Sequence, residues 1–228
     1  VAAGARRRVD ARAAGTRSDS EQDQGYISNR TSKIATVGAG YNVTKADRLS
    51  GEFTYNLRTG SPRQPERNRL FDGAGALVGD FDRDGTGREH EVATDGSATY
   101  KHSFAGKGHS FTLDFRHSEE AEDRSSRFIN VFRLPAAPTT IDQQRPHADQ
   151  RERELTAECA RPLPAHAKLL LGDDLERDDD AFDTHVDTID PASGAVTVDP
   201  RATSRFVYAR TVHALYATYE RVFADTLT

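Results

Sequence analysis

Apolar and polar residues alternate along several segments of the chain, and this period of two constrains its fold more than any other feature. In the segment 48–58, RLSGEFTYNLR, Leu49, Phe53 and Leu57 alternate with polar or charged residues, and the segment 109–117, HSFTLDFRH, repeats the pattern. Successive side chains of a β-strand point to opposite faces. Each segment therefore predicts a strand with one apolar and one polar face.

The alternation and the prolines together predict eight strands. All nine prolines fall between them, as expected for a residue that cannot donate to a central ladder. The predicted strands are 5–17, 29–43, 48–60, 88–104, 108–134, 150–161, 167–188 and 201–222.

The predicted connections alternate in length. The short turns are 44–47, 105–107, 162–166 and 224–226. The longer, polar connections are 18–28, 61–87, 135–149 and 189–200. Short turns on one rim and long loops on the other are typical of a transmembrane barrel. An all-β fold is therefore predicted, an antiparallel transmembrane β-barrel segment that occupies the whole of residues 1–228.

Aromatic residues and composition agree with a membrane location. Aromatic side chains cluster beside the short turns, as in the girdle at a membrane interface. They are Tyr41, Phe104, Phe111, Tyr216, Tyr219 and Phe223. About ten residues of a strand cross a bilayer, so strands longer than this protrude into water. This protrusion explains a mean hydropathy of −0.72 without invoking disorder.

Several classes of function lack support in the sequence. The net charge of −5 is spread along the chain, so nucleic acid is not expected as a partner. Cys159 is the only cysteine, so it forms no intrachain disulfide and is expected to be an unpaired thiol. No nucleophile elbow, phosphate loop or metal-binding histidine spacing occurs. We expect a protein that is not an enzyme, with no cofactor, no catalytic residue and no metal site.

The stretch DFDRDGTGREHE, residues 80–91, matches the pattern of an EF-hand calcium loop. Asp80, Asp82, Asp84, Gly85 and Glu91 occupy the expected positions. The flanking segments are predicted to be strands rather than the helices that an EF-hand requires. A plain acidic loop is favoured, and the alternative is a secreted soluble β-domain with a structural calcium-binding loop at 80–91.

A second acidic run, GDDLERDDD, is expected to form a solvated face. Its carboxylates are Asp173, Asp174, Glu176, Asp178, Asp179 and Asp180. Paired carboxylates can catalyse hydrolysis, but only within a convergent pocket. His102 and His213 lie in alternating segments and are expected near the membrane interface.

Three long stretches resemble the barrel of a TonB-dependent receptor, an outer-membrane β-barrel protein of Gram-negative bacteria. They are HSFTLDFRHSEEAEDRSSRFINVFRLP, RERELTAECARPLPAHAKLLLGDDLERDDD and RFVYARTVHALYATYERVFADTLT. The resemblance implies a segment of about eight strands from a barrel of about 22. It also implies uptake of a scarce ligand, such as an iron–siderophore complex, across the bacterial outer membrane. The implied partners are outer-membrane lipid, the ligand, and TonB through a plug domain that this sequence does not contain. No motif identifies ligand-binding residues.

Two residues depart from the pattern of similar barrels. Asp173 shares the lipid-facing parity of Leu171 and Leu175, where similar barrels generally have an aromatic residue, and Cys159 holds a comparable position. An ionised aspartate facing the bilayer is unfavourable by a few kcal/mol at the midplane and by less near the rim.

Overall fold

The computed structural model describes residues 2–11, 17–164 and 166–221, with residues 2–11, 17 and 18 described by their backbone alone. The regular elements of these residues are all β-strands. They are β1 Ala2–Ala11, β2 Arg17–Asn42, β3 Asp47–Phe71, β4 Leu77–Ser103, β5 Ser110–Leu134, β6 Ala136–Leu163, β7 Ala167–Ile189, β8 Val196–Val198 and β9 Ser204–Arg221. The described residues include no helix long and apolar enough to cross a membrane.

The strands form one antiparallel sheet in which each strand pairs with the next from β1 to β7. β7 also pairs with the three-residue β8 and with β9. The predicted antiparallel sheet of about eight strands is confirmed, with β8 as a short addition. Within the described residues β1 pairs only with β2 and β9 only with β7, so the sheet is not closed. Among the described residues β1 pairs only with 17–26 of β2, so the outer edge of 27–42 has no described partner.

Short connections lie at one end of the sheet, which we call the short-turn rim. Its connections are 43–46, 104–109 and 164–166. Three of the predicted short turns are thereby confirmed, and the fourth, 224–226, lies outside the described residues. At the opposite end, the distal rim, the described connections are 72–76, residue 135 and 190–203.

The long loops predicted at 18–28, 61–87 and 135–149 are wrong for most of their length, because these residues belong to β2, β3, β4 and β6. Only the predicted loop at 189–200 is largely an irregular connection. The missed segments carry charged residues on both faces, so they have no apolar row to detect. Their ladders carry cross-strand ion pairs, among them Arg63 to Asp84 at 2.8 Å and Arg67 to Asp80 at 3.2 Å.

The prediction that every proline lies between strands is also wrong. Pro62 pairs with Ser28 of β2, and the β3–β4 ladder is interrupted beside it. Pro65 pairs with Asp84 of β4, and the β2–β3 ladder is interrupted instead. A residue of an antiparallel strand donates to one neighbour only, so each proline affects a single ladder. Five prolines lie within strands: Pro62, Pro65, Pro138, Pro146 and Pro162.

The pairing register assigns the side chains to two faces. Leu49 of β3 pairs with Tyr100 of β4, which pairs with Leu113 of β5, so these three residues share a face. We call this the banded face, which carries the odd-numbered residues of β2, β3, β5, β6, β7 and β9 and the even-numbered residues of β4. The other face, formed by the remaining residues of these strands, is the polar face.

Candidate functional site

An apolar band crosses the banded face next to the short-turn rim. On β3 it occupies 49–57, and on β7 it occupies 169–175. The pairing from β3 to β7 puts Leu49 and Asp173 in the same row across the sheet. The band begins at Leu49 on β3, but on β7 it begins at Leu169, four residues before Asp173 and nearer the short-turn rim. The band therefore shifts along the strands as it crosses the sheet, as a membrane plane does across tilted barrel strands. Its side chains are exposed, including Phe53 at 47% and Leu171 at 48%.

The band has the height of a bilayer crossing and lies on much longer strands. Its nine residues on β3 match the nine to eleven of a tilted transmembrane strand, whereas β3 has 25 residues and β6 has 28. The strands therefore extend beyond the band toward the distal rim, as the sequence predicted. We treat 49–57, 92–100, 111–115, 155–161, 169–175 and 213–219, with 35–41 of β2, as the membrane-spanning segments.

Asp173 lies within this band, so the predicted lipid-facing parity is confirmed. It shares a face with Leu171 and Leu175, and its Oδ1 lies 2.6 Å from Nε2 of His213 on β9. His213 is also on the banded face. Cys159 lies one row nearer the short-turn rim, between Phe111 and Leu171, and is a free thiol as expected.

The predicted aromatic girdle is confirmed in part. Tyr41, Phe111 and Tyr219 lie on the banded face near the short-turn rim. Phe104 lies in the turn itself, between the rings of His102 and His109. Phe223 lies outside the described residues. Tyr216 departs from the prediction because it lies on the polar face, where its ring covers Gly172.

The calcium-loop alternative is wrong because residues 80–91 form part of β4. Asp80, Asp82 and Asp84 lie on the banded face, and Glu91 lies on the polar face, so the four carboxylates cannot surround one ion. Each carboxylate has an arginine partner instead: Arg67 for Asp80, Arg133 for Asp82, Arg63 for Asp84 and Arg58 for Glu91. The hydrogen bond from Arg133 also holds the pKa of Asp82 below its ordinary value.

Carboxylates from several strands meet at mid-height on the polar face, in what we call the acidic strip. Its members are Glu52, Asp95, Glu120, Glu152, Glu154, Glu176, Asp178 and Asp180. They line two open hollows of about 300 and 420 Å³. Burial first, and then the charges of Glu91 and Glu122, raise the pKa of Glu120. Arg210 donates to Asp178 at 2.8 Å and also contacts Glu176.

The sequence predicted a solvated face for the acidic run of β7 but did not predict this strip. Asp174, Glu176, Asp178 and Asp180 lie on the polar face, whereas Asp179 lies on the banded face beside Arg177. The rest of the strip comes from β3, β4, β5 and β6, which only the pairing register brings together. No local pattern in the sequence could have identified it. The described residues contain no group of side chains suited to hold a metal ion.

Nearer the distal rim the polar face carries a packed network. Arg83 lies over the ring of Phe128 at 3.9 Å, and it donates to Oδ1 of Asn130 at 3.3 Å. Asn130 donates in turn to Asp142 at 2.8 Å and to Thr140 at 3.0 Å. Phe128 is only 8% exposed, so these groups stabilise the outer part of the sheet.

Comparison with known proteins identifies the class of barrel. The outer membrane protein beta-barrel family matches residues 102–226, more than half of the chain. A major outer membrane protein from Thermus thermophilus is 17% identical, over 82% of this chain and 100% of that chain, with a TM-score of 0.19. The translocator domain of the autotransporter NalP from Neisseria meningitidis is 9% identical, over 94% of this chain and 83% of that chain, with a TM-score of 0.15. No curated protein matches the chain.

The family match agrees with the structure, in which one face of the sheet carries the apolar band and the opposite face is polar. An apolar band, a polar opposite face and antiparallel neighbours are the features by which strands span an outer membrane. The alternative of a secreted soluble domain is therefore wrong in its location as well as in its calcium loop. The chain belongs to the outer membrane protein beta-barrel family and is located in the outer membrane.

Proposed function

We propose that this chain forms part of the barrel wall of a TonB-dependent receptor. In this role the protein takes up a scarce ligand, such as an iron–siderophore complex, across the outer membrane. The barrel encloses a passage and does not act as an enzyme. Its partners are membrane lipid on the banded face, the ligand, and TonB acting through a plug domain.

The observation that carries the proposal is the unclosed sheet. Seven of the nine strands have 18 residues or more, yet within the described residues β9 has no partner on its outer edge. Apolar side chains along the free edges are highly exposed, including Val37 at 67% and Leu215 at 76%. Long unprotected edges are a liability for a complete soluble sheet. They favour a larger barrel in which further strands pair with both edges.

The polar face supports a passage. Its charges continue from the short-turn rim past the acidic strip, and the two hollows of the strip are open to solvent. Small barrels fill their interior with side chains, whereas large ones enclose a ligand path. A charged face with open hollows fits the wide barrel of a receptor.

The test is uptake of a labelled ferric siderophore by cells that contain or lack the full-length protein, under iron limitation. We expect uptake only when both this protein and TonB are present. Equal uptake without the protein, or uptake that persists without TonB, would contradict the proposal.

Two neighbouring variants add a structural control to the uptake test. Glu152→Lys reverses a charge on the polar face, and Asp179→Asn removes a charge at about the same height on the banded face. We expect the first to change uptake severalfold and the second to leave it unchanged. The opposite ranking would place the ligand path outside the polar face.

A further inference from the structure

Basic residues border the apolar band on its distal side. On five of the seven long strands with described side chains, the first banded-face residue beyond the apolar run is lysine, arginine or histidine. We call these residues the basic collar: Lys33 of β2, His90 of β4, His117 of β5, Arg153 of β6 and Arg177 of β7. The exceptions are β3, which has Thr59 there, and β9, whose His213 lies within the band and is bonded to Asp173. The regularity is not visible in the sequence, because it requires both the face and the end of the band on every strand.

The centre of the collar is a row of three basic side chains on neighbouring strands. His117 pairs with Arg153, and Arg153 pairs with Arg177. Like charges directly opposite each other destabilise a sheet, so this arrangement is unfavourable unless an anion lies between them. Arg177 is partly neutralised by Asp179, to which it donates at 2.9 and 3.0 Å.

One member of this row, Arg153, is exposed and forms no hydrogen bond or ion pair within the described part of the chain. His117 lies 3.8 Å from Glu119 through its Nε2, and its Nδ1 is buried without a hydrogen-bond partner. By contrast, the arginines Arg63, Arg67 and Arg133 farther toward the distal rim are all bonded to aspartates. Arg88 and Arg127 on the same face also form no hydrogen bond or ion pair within the described residues, and Arg153 is the unpaired arginine at the depth where the apolar band ends.

The position of the collar identifies what its free groups meet. The band marks the hydrocarbon, so the residues that follow it lie at the depth of the lipid headgroups. Short turns of such barrels face the periplasm, so the collar lies in the outer leaflet. Phosphate is the anionic group of lipid headgroups, and arginine binds phosphate with two parallel hydrogen bonds.

We propose that the basic collar binds the phosphates of outer-leaflet lipid headgroups, with Arg153 as its main contact. The partner is a phosphate-bearing lipid surface rather than free phosphate in solution. Bound phosphate lies between Arg153 and Arg177 and offsets their repulsion, while Lys33 provides a second contact on β2. Lipid binding at the collar fixes the depth of the barrel in the membrane.

The test uses the purified full-length protein in nanodiscs of phosphatidylcholine with added diphosphoryl lipid A, or with lipid A from which the phosphates have been removed. Native mass spectrometry counts the lipid A molecules that remain bound. We expect preferential binding of the phosphorylated form. Arg153→Gln should weaken this binding about fivefold, and Lys33→Gln together with Arg153→Gln should weaken it further, since each basic residue near an anionic surface contributes a similar amount.

The matched control is Arg116→Gln. Arg116 neighbours His117 in sequence but lies on the polar face, and its side chain is 69% exposed. We expect this variant to bind lipid A as the wild type does. Arg153→Lys keeps the charge and should retain most of the binding, which separates loss of charge from loss of fold.

Three outcomes would overturn the proposal. The first is unchanged binding in the double variant, and the second is an equal loss in Arg116→Gln. The third is displacement of bound lipid A by inorganic phosphate alone, which would assign the row to a soluble anion. Uptake of a siderophore has no bearing on any of these readouts.

Discussion

Asp173 and His213 form an ionisable pair inside the apolar band, and removing them separately and together tests its contribution to stability. Asp173 lies four residues before Arg177, where the band ends on β7. Four residues of strand span about 13 Å, so in a tilted barrel the carboxylate lies roughly 10 Å below the headgroups. Among the described residues, the side-chain partner of Asp173 is His213, whose Nε2 lies 2.6 Å from Oδ1 of Asp173.

Removing the histidine alone and removing both partners should have opposite effects on stability. His213→Leu leaves an unpaired carboxylate in the band, and we expect the free energy of unfolding to fall by about 1–2 kcal/mol. Asp173→Leu removes the group that is least favourable in lipid. The free energy of unfolding of this variant should therefore be nearly unchanged or higher than that of wild type. The double variant replaces the pair by two lipid-compatible side chains and should be more stable than wild type by about 1–3 kcal/mol.

The assay is urea unfolding of the full-length protein in phosphatidylcholine vesicles, followed by circular dichroism. The double-mutant cycle should give a favourable coupling of about 1 kcal/mol or more between the two residues. Asp179→Leu is the matched control, since Asp179 lies on the same face beyond the band and is paired with Arg177. It should not stabilise the protein. A double variant that is clearly less stable than wild type would refute a lipid-facing location for the pair.

Two further predictions concern single sites. His147 lies between two carboxylates beyond the membrane-spanning segments, and hydrogen bonds to Asp123 and then Asp149 raise its pKa above the ordinary 6.5. The resulting stability is complete below pH 6.5 and is lost as the pH rises through the raised pKa, so His147→Gln should abolish this loss in unfolding measured across the neutral range. Gly172→Ala should destabilise the protein by about 1–3 kcal/mol in the same assay, because the added Cβ would overlap the ring of Tyr216. Gly96→Ala, which meets no atom closer than 3.9 Å, is its control.

The membrane-facing part of the fold could be predicted because lipid imposes one apolar face. Residues 49–57 and 111–115 alternate so regularly that both the strand and the direction of its side chains follow from the sequence. The same parity correctly placed Asp173 toward lipid. The girdle prediction, which rested on nearness to the short turns rather than on parity, was wrong at Tyr216, because an aromatic ring near the rim also packs well over a glycine on the polar face. Alternation identifies a face only when one of the two faces is apolar.

Beyond the band both faces of the sheet are polar. Which side chains become neighbours there depends on the pairing register of the strands, and no local sequence pattern reveals that register. Arg58 and Glu91 are 33 residues apart, and their hydrogen bonds of 2.7 Å exist only because β3 and β4 pair in one register. A slip of one residue would move Asp80, Asp82 and Asp84 to the opposite face. Their spacing of two fits a calcium loop, whose odd positions point toward an ion, and it fits a strand equally well, whose odd positions share a face. The pairing register, in which each of these carboxylates contacts a cross-strand arginine, distinguishes the strand from the calcium loop.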